Sequence, residues 1–152
     1  MRNISTNIKR DSDQELDFIA TQNSREVFER IFLHDGTKSF NLIGNYGTGK
    51  STFLWACEKS LGNKVNLFGV DKLDAFNSDY VFIKIVGEEE SLLRLLSIEL
   101  GLRGRTNVKR LLTEFDKIID DNIKVVILID EFGKILEHAA SKGNTSDLYL
   151  LQ

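Results

Sequence analysis

The sequence predicts an α/β fold, a parallel β-sheet flanked by helices, and three observations predict it. Short apolar runs alternate with amphipathic stretches of ten or more residues, the pattern of strands joined through crossover helices. One run, Lys124-Val125-Val126-Ile127-Leu128-Ile129, is apolar on both faces, as a central parallel strand must be. A glycine-rich turn at 44–49 links another apolar run directly to a helical pattern.

The elements follow in order. Residues 1–14 are polar and read as a flexible N-terminal arm, with residues 15–152 forming one domain. A helix is expected over Ser24 to Leu33. Asn23 caps it, with Glu26 three positions on as in a capping box, and Val27, Phe28, Ile31 and Phe32 give it an apolar face. Asp35-Gly36 ends it. Ser39 to Ile43 reads as a short buried strand, followed by a helix from Lys50 to Leu61 with Phe53, Leu54, Ala56, Cys57 and Leu61 inward and Gly62 as its stop. A short strand at Val65 to Phe68 is followed by a loop or a helical turn. Tyr80 to Val86 is a strand, Glu88 to Leu100 a leucine-rich helix, and Asn107 to Asp120 another helix. Helical sequence resumes over Glu131 to Ala140. A loop covers Gly143 to Ser146, and a last helix begins there and is cut off at Gln152, so a longer protein is expected.

Composition narrows the function. The chain of 152 residues is 41% hydrophobic and 28% charged, ordinary for a globular protein with one core. A formal net charge of -3 counts against a strongly basic nucleic-acid binder, though a local basic patch is compatible with it. Cys57 is the single cysteine, so no intrachain disulfide forms, which suits a reducing cytoplasm. No apolar run approaches the roughly 18 residues that span a bilayer, and the N-terminus lacks the apolar core of a signal peptide. The expectation is a cytoplasmic protein without membrane attachment.

The chemistry sits in two places. Gly44-Asn45-Tyr46-Gly47-Thr48-Gly49-Lys50-Ser51 matches G-x-x-x-x-G-K-[ST] at every defined position. Triphosphate oxygens need several backbone N–H donors converging on one point, and a glycine-rich loop wrapped round the phosphate supplies them. The helix that begins at Lys50 turns its N-terminal N–H groups and positive dipole end toward the same anion. Lys50 adds a mobile positive charge for the β- and γ-phosphates, and the Ser51 hydroxyl suits magnesium, which takes few protein ligands beside phosphate and water. The second place is Val125 to Glu131, an apolar run ending in two carboxylates. Asp130 fits the strand-end aspartate that holds the magnesium shell, and Glu131 fits a base that polarises the attacking water. The same pair also reads as a helix cap followed by a first-turn acid.

Together these residues resemble the additional-strand, catalytic-glutamate division of P-loop NTPases, and within it the AAA+ and STAND ATPases. The resemblance rests on GNYGTGKST at 44–52, which adds Thr52 to the loop, on VVILIDE at 125–131, and on the extra strand Tyr80 to Val86 between them. Asn23 to Ile31 is similar to the helix that neighbours the adenine in AAA+ proteins, or is an ordinary amphipathic helix. The resemblance implies ATP and Mg2+ as ligands, ATP hydrolysis, and assembly with further copies or a partner subunit in the full-length protein. The sensor strand, arginine finger and helical lid of that family cannot be placed before Gln152, so slow turnover by this chain alone is expected. Asp130-Glu131-Phe132-Gly133 also satisfies the D-x-x-G pattern of GTPases, but no Asn-Lys-x-Asp guanine-reading motif accompanies it.

The densest basic cluster is Arg103 and Arg105 with Lys109 and Arg110. It reads either as a nucleic-acid backbone contact or as a solvated loop and helix start. Arg103 or Arg105 acting on a neighbour's nucleotide is a third reading. His34 and His138 stand apart from any metal-ligand spacing and read as surface residues, while Cys57 reads as core packing and Trp55 as a packing or half-exposed residue of the same helix. Two function classes remain: an ATPase that couples nucleotide state to conformational change or assembly, and a nucleotide-dependent binding or oligomerisation switch with little hydrolysis, acting on DNA or in defence against phage.

Overall fold

The computed structural model describes residues 8–9, 17–33, 36, 38–71, 74–119 and 123–143. Among them lies a small α/β fold with five α-helices and a two-stranded parallel sheet. In chain order these are α1 (Gln22–Phe32), α2 (Lys50–Gly62), a single 3-10 turn (Asp74–Asn77), β1 (Asp79–Val86), α3 (Leu92–Glu99), α4 (Val108–Ile118), β2 (Ile123–Asp130) and α5 (Phe132–Lys142). The chain divides into two compact units, Met1–Tyr80 and Val81–Gln152. No helix of the described residues is long and apolar enough to cross a membrane.

The first unit is held by aromatic rings. Phe68 is fully buried and stacks on Phe28 with ring centroids 4.2 Å apart and planes 15° from parallel. Phe18 and Phe53 meet the same ring edge-on at 5.0 and 5.6 Å. Each such contact adds about 0.5–1.5 kcal/mol beyond the area it buries. Along α2, Phe53, Trp55, Ala56, Cys57 and Leu61 are buried. Burial pushes the Cys57 thiol well above its ordinary range, so it stays a neutral packing group. Ser60 is also buried, and its hydroxyl donates to the Val65 carbonyl at 2.6 Å, tying the loop after α2 back to the helix.

The second unit is built on β1 and β2. Ile83 and Ile85 of β1 pack with Leu92, Leu95 and Leu96 of α3, Leu111 of α4 and Ile135 of α5, with Val125 and Ile129 of β2 against them. Period-two burial along β1 and the leucine spacing of α3 are what bring these side chains to one side.

Several expectations need correction. Ser39 to Ile43 is not a strand: no ladder reaches it, and Ile43 is 90% exposed. Apolar composition makes a run suitable for a strand, but only a hydrogen-bonding neighbour makes it one. For the same reason Val65 to Phe68 forms turns, although the helical turn expected after it exists at Asp74–Asn77. The run Val125 to Ile129 is a strand, but among the described residues β1 is its one partner, so there it is an edge and not a centre, and Ile127 is 40% exposed. The capping box of α1 is Thr21 with Ser24, not Asn23 with Glu26. Thr21 accepts from the Ser24 N–H at 3.2 Å, and Ser24 accepts from the Thr21 N–H at 2.9 Å, so the helix starts two residues earlier. Helix α3 starts later than expected, because Ser91 caps it and Glu90 takes the Ser91 N–H at 2.8 Å. Trp55 is buried, not half-exposed, and His138 is half-buried. Gly143 ends α5, while the last helix, His34, Asp35 and most of the N-terminal arm lie outside the described residues. Of that arm, Ile8 is fully buried and Lys9 exposed.

Phe68→Ala should lower the unfolding free energy of the chain by about 3–5 kcal/mol, since it removes the ring that three others contact. Ile19→Ala, at an 83% exposed position, should change it by less than about 0.5 kcal/mol. Urea titration of both variants tests the contrast, and similar losses would remove Phe68 from the centre of this packing.

Candidate functional site

The loop expected to hold phosphate belongs to the first unit. Gly44 through Gly49 are all exposed, and Tyr46 is 84% exposed. Gly47 and Gly49 have φ of 79° and 84°, a left-handed backbone that an L side chain enters only at a cost of roughly 1–2 kcal/mol. A Cβ on Gly44 would lie 3.0 Å from the Thr48 hydroxyl, which donates to the Asn45 carbonyl at 2.8 Å. The turn is thus closed by its own threonine. Lys50 folds back over it, its ammonium donating to the carbonyls of Gly44 and Asn45 at 2.7 Å each. That places a positive charge at the loop. The Ser51 hydroxyl, one residue on, makes no hydrogen bond among the described residues, and Thr52 continues the helix.

The acidic pair belongs to the second unit, at the end of β2. The Asp130 carbonyl accepts from the Gly87 N–H at 2.7 Å, which extends the parallel ladder one step beyond β1. A Cβ on Gly87 would run into the carbonyl oxygen of Glu131, so glycine is the residue that lets the two strand ends close. One carboxylate oxygen of Asp130 accepts from the Glu131 N–H at 3.0 Å. Glu131 has φ 54° and ψ 38°, the left-handed region, where a long side chain is uncommon. Its carboxylate is paired with Lys134 in the first turn of α5. Both side chains are about half exposed, so the pair itself contributes little stability. The hydrogen bond and charge of Glu131 raise the Lys134 pKa above its ordinary value, so the ammonium stays charged throughout the neutral range.

Helices α1, α3 and α4 each begin at a side-chain cap, from Thr21, Ser91 and Asn107. Helices α2 and α5, which follow the two sequence motifs, do not: each is entered through a left-handed residue, Gly49 and Glu131, with no side-chain cap. First-turn N–H groups without a cap are available to an anion. Here the same local geometry recurs at both motifs.

Among the described residues no group of three or more His, Cys, Asp or Glu is placed to hold a metal ion. An all-protein metal cage is therefore not what these side chains offer. Taken separately, the Ser51 hydroxyl in the first unit and one Asp130 carboxylate oxygen in the second make no hydrogen bond among the described residues, and each is the kind of oxygen that magnesium takes beside phosphate and water. Sequence reasoning missed Gly87 and Lys134. A glycine directly after a strand and a lysine three positions after Glu131 were the available signals, but both depend on knowing where β1 and α5 end and start.

Because φ is left-handed at residue 131, Glu131→Gly should leave the chain at least as stable as the parent, whereas Glu131→Val should cost about 1 kcal/mol or more. Thermal or urea unfolding measures both, and an unchanged Glu131→Val would contradict the left-handed turn. In comparisons with known proteins, no family model, no curated protein and no solved structure matches this chain.

Proposed function

We propose that the chain is an ATP-binding and ATP-hydrolysing P-loop domain of the AAA+ or STAND type, which couples nucleotide state to conformational change or assembly. The observation that carries this reading is the loop Gly44 to Ser51: a complete phosphate-binding spacing, two left-handed glycines, and an ammonium held over the turn at the uncapped start of α2. In this proposal the N–H groups of the loop and of α2 bind the phosphates, with Lys50 on the β- and γ-oxygens. Ser51 and Asp130 are the magnesium ligands, and Glu131 is the base that takes a proton from the attacking water. Magnesium, when bound, neutralises phosphate charge and fixes the oxygens for in-line attack. A P-loop NTPase core also needs a sheet strand ahead of the loop, which the segment 39–43 does not supply here. The proposal therefore rests on the two motifs and their local geometry.

The strand-end position of Asp130 and the left-handed turn at Glu131 support the assignment of the acids. Strained backbone at a polar strand end is a feature that functional sites keep and that packing alone rarely requires. ATP is preferred over GTP because no guanine-reading Asn-Lys-x-Asp motif exists in the chain. In such an assembly an arginine from a neighbouring subunit would stabilise the charge of the transition state, a contribution of about 10³–10⁵ in rate where one is used.

One observation favours the second reading, a nucleotide-dependent binding or assembly switch with little hydrolysis. The Glu131 carboxylate is engaged by the Lys134 ammonium, so one of its oxygens is not free to accept a hydrogen bond from an attacking water. Release from that ion pair is then part of turning the activity on.

Lys50→Ala should weaken ATP binding at least about tenfold, the value of one charge-assisted contact to phosphate. Glu131→Gln should keep ATP binding while losing about 10² or more in hydrolysis rate. Nucleotide titration alongside steady-state phosphate release separates the two, and equal turnover by Glu131→Gln would remove it as the base. Lys134→Met should raise the hydrolysis rate severalfold at neutral pH with ATP affinity unchanged. A fall in rate would show that Lys134 assists the reaction instead of restraining it.

A further inference from the structure

We propose that the second unit carries a phosphate-binding site of its own, built on α3 and the segment 104–106 from residues unrelated to the loop at 44–51. A cavity of about 310 Å³ opens there, with Glu90, Ser91, Arg94, Ser97, Arg105 and Thr106 among its walls. Most of the polar groups in those walls are used internally. Glu90 accepts from the Ser91 N–H at 2.8 Å, Ser91 accepts from the Arg94 N–H at 3.2 Å, and the Ser97 hydroxyl donates to the Leu93 carbonyl at 2.6 Å. Three groups are left unspent. The guanidinium groups of Arg94 and Arg105 have no ion pair and no hydrogen bond among the described residues. The Thr106 hydroxyl oxygen is shielded from solvent and has no partner either.

A shielded hydroxyl without a partner is costly to keep, and the exposed guanidinium groups of Arg94 and Arg105 leave positive charge without a partner on the walls of the same cavity. A tetrahedral oxyanion relieves both. Each planar fork offers parallel N–H donors matched to two phosphate oxygens, and the hydroxyl offers a further donor. The charge balance fits as well: two guanidinium groups against the single carboxylate of Glu90 leave a net positive site for a phosphate carrying about -1.5 to -2. The volume lies at the lower end of the range for small-molecule sites and exceeds the needs of a single phosphate, so it suits a diphosphate or a phosphate with an organic substituent.

The site is also pre-organised. Gly104 turns the chain at φ 77°, and Arg110 Nη1 donates to the carbonyls of Arg103 and Arg105 at 3.1 and 3.4 Å. Arg110 is thereby spent on holding the backbone that presents Arg105. The Leu102 N–H bonds the Ser97 carbonyl at 2.8 Å, fastening the start of the same segment to α3. The densest basic stretch of the sequence is thus a supported loop with two of its arginines, Arg103 and Arg105, unpaired among the described residues. Phosphate of this kind comes either as a small diphosphate or as the backbone of a nucleic acid.

The test is made on the full chain carrying Lys50→Ala, so that the loop at 44–51 does not contribute. Pyrophosphate is titrated by calorimetry, and a short single-stranded DNA oligonucleotide by gel shift. At least one probe is expected to bind, and Arg94→Gln with Arg105→Gln should weaken it by about tenfold or more, with Thr106→Val weakening it severalfold. Arginine-dependent binding of pyrophosphate alone identifies a small phosphate ligand, and arginine-dependent binding of the oligonucleotide identifies a nucleic-acid backbone; either supports the site. Binding of neither probe, or binding unchanged in a double variant whose circular dichroism matches the parent, overturns it. Neither result bears on ATP binding by the loop, which Lys50 alone tests.

Discussion

The second unit depends on how β1 and β2 end together. The hydrogen bond from the Gly87 N–H to the Asp130 carbonyl carries the parallel ladder past the last residue of β1, and it exists because Gly87 has no side chain to meet the next carbonyl. Shift that register by one residue and Ile83 and Ile85 would turn to the opposite face from Val125 and Ile129. The leucines of α3, Leu111 and Ile135 would then have nothing to pack on. The same closure delivers Asp130 and Glu131 to a strand end. Core and candidate chemistry are therefore set by one contact.

The helices themselves were largely legible. All five described α-helices were expected, since apolar spacing with serine or asparagine before it and glycine or asparagine after it is a local signal. Helix starts moved by a few residues where a side chain other than the expected one took the cap, upstream at Thr21 and downstream at Ser91. The strands were less legible, and for a different reason. Val125 to Ile129 and Ser39 to Ile43 both look like strands, yet only the first has a partner. Pairing is a long-range property, and no count of branched residues along a run contains it.

The candidate site shows the same division. Spacing alone located the loop glycines, Lys50 and the two acids. It gave no hint that Lys50 would bond to two loop carbonyls, that Glu131 would sit in a left-handed turn, or that Lys134 would hold its carboxylate. Those are consequences of where helices start. Both α2 and α5 begin straight from a turn with no capping side chain, whereas at α1, α3 and α4 a cap side chain accepts one first-turn N–H.

The buried indole of α2 has a consequence for how the protein can be observed. Trp55 is the single tryptophan of the chain, it is 6% exposed, and it lies in the second turn of the helix that Lys50 and Ser51 begin. Its ring nitrogen has no hydrogen-bond partner among the described residues, and an indole so shielded from water is expected to emit to the blue of an exposed one. All intrinsic indole signal therefore originates beside the loop, and any rearrangement there is recorded without a label and without background from the rest of the chain.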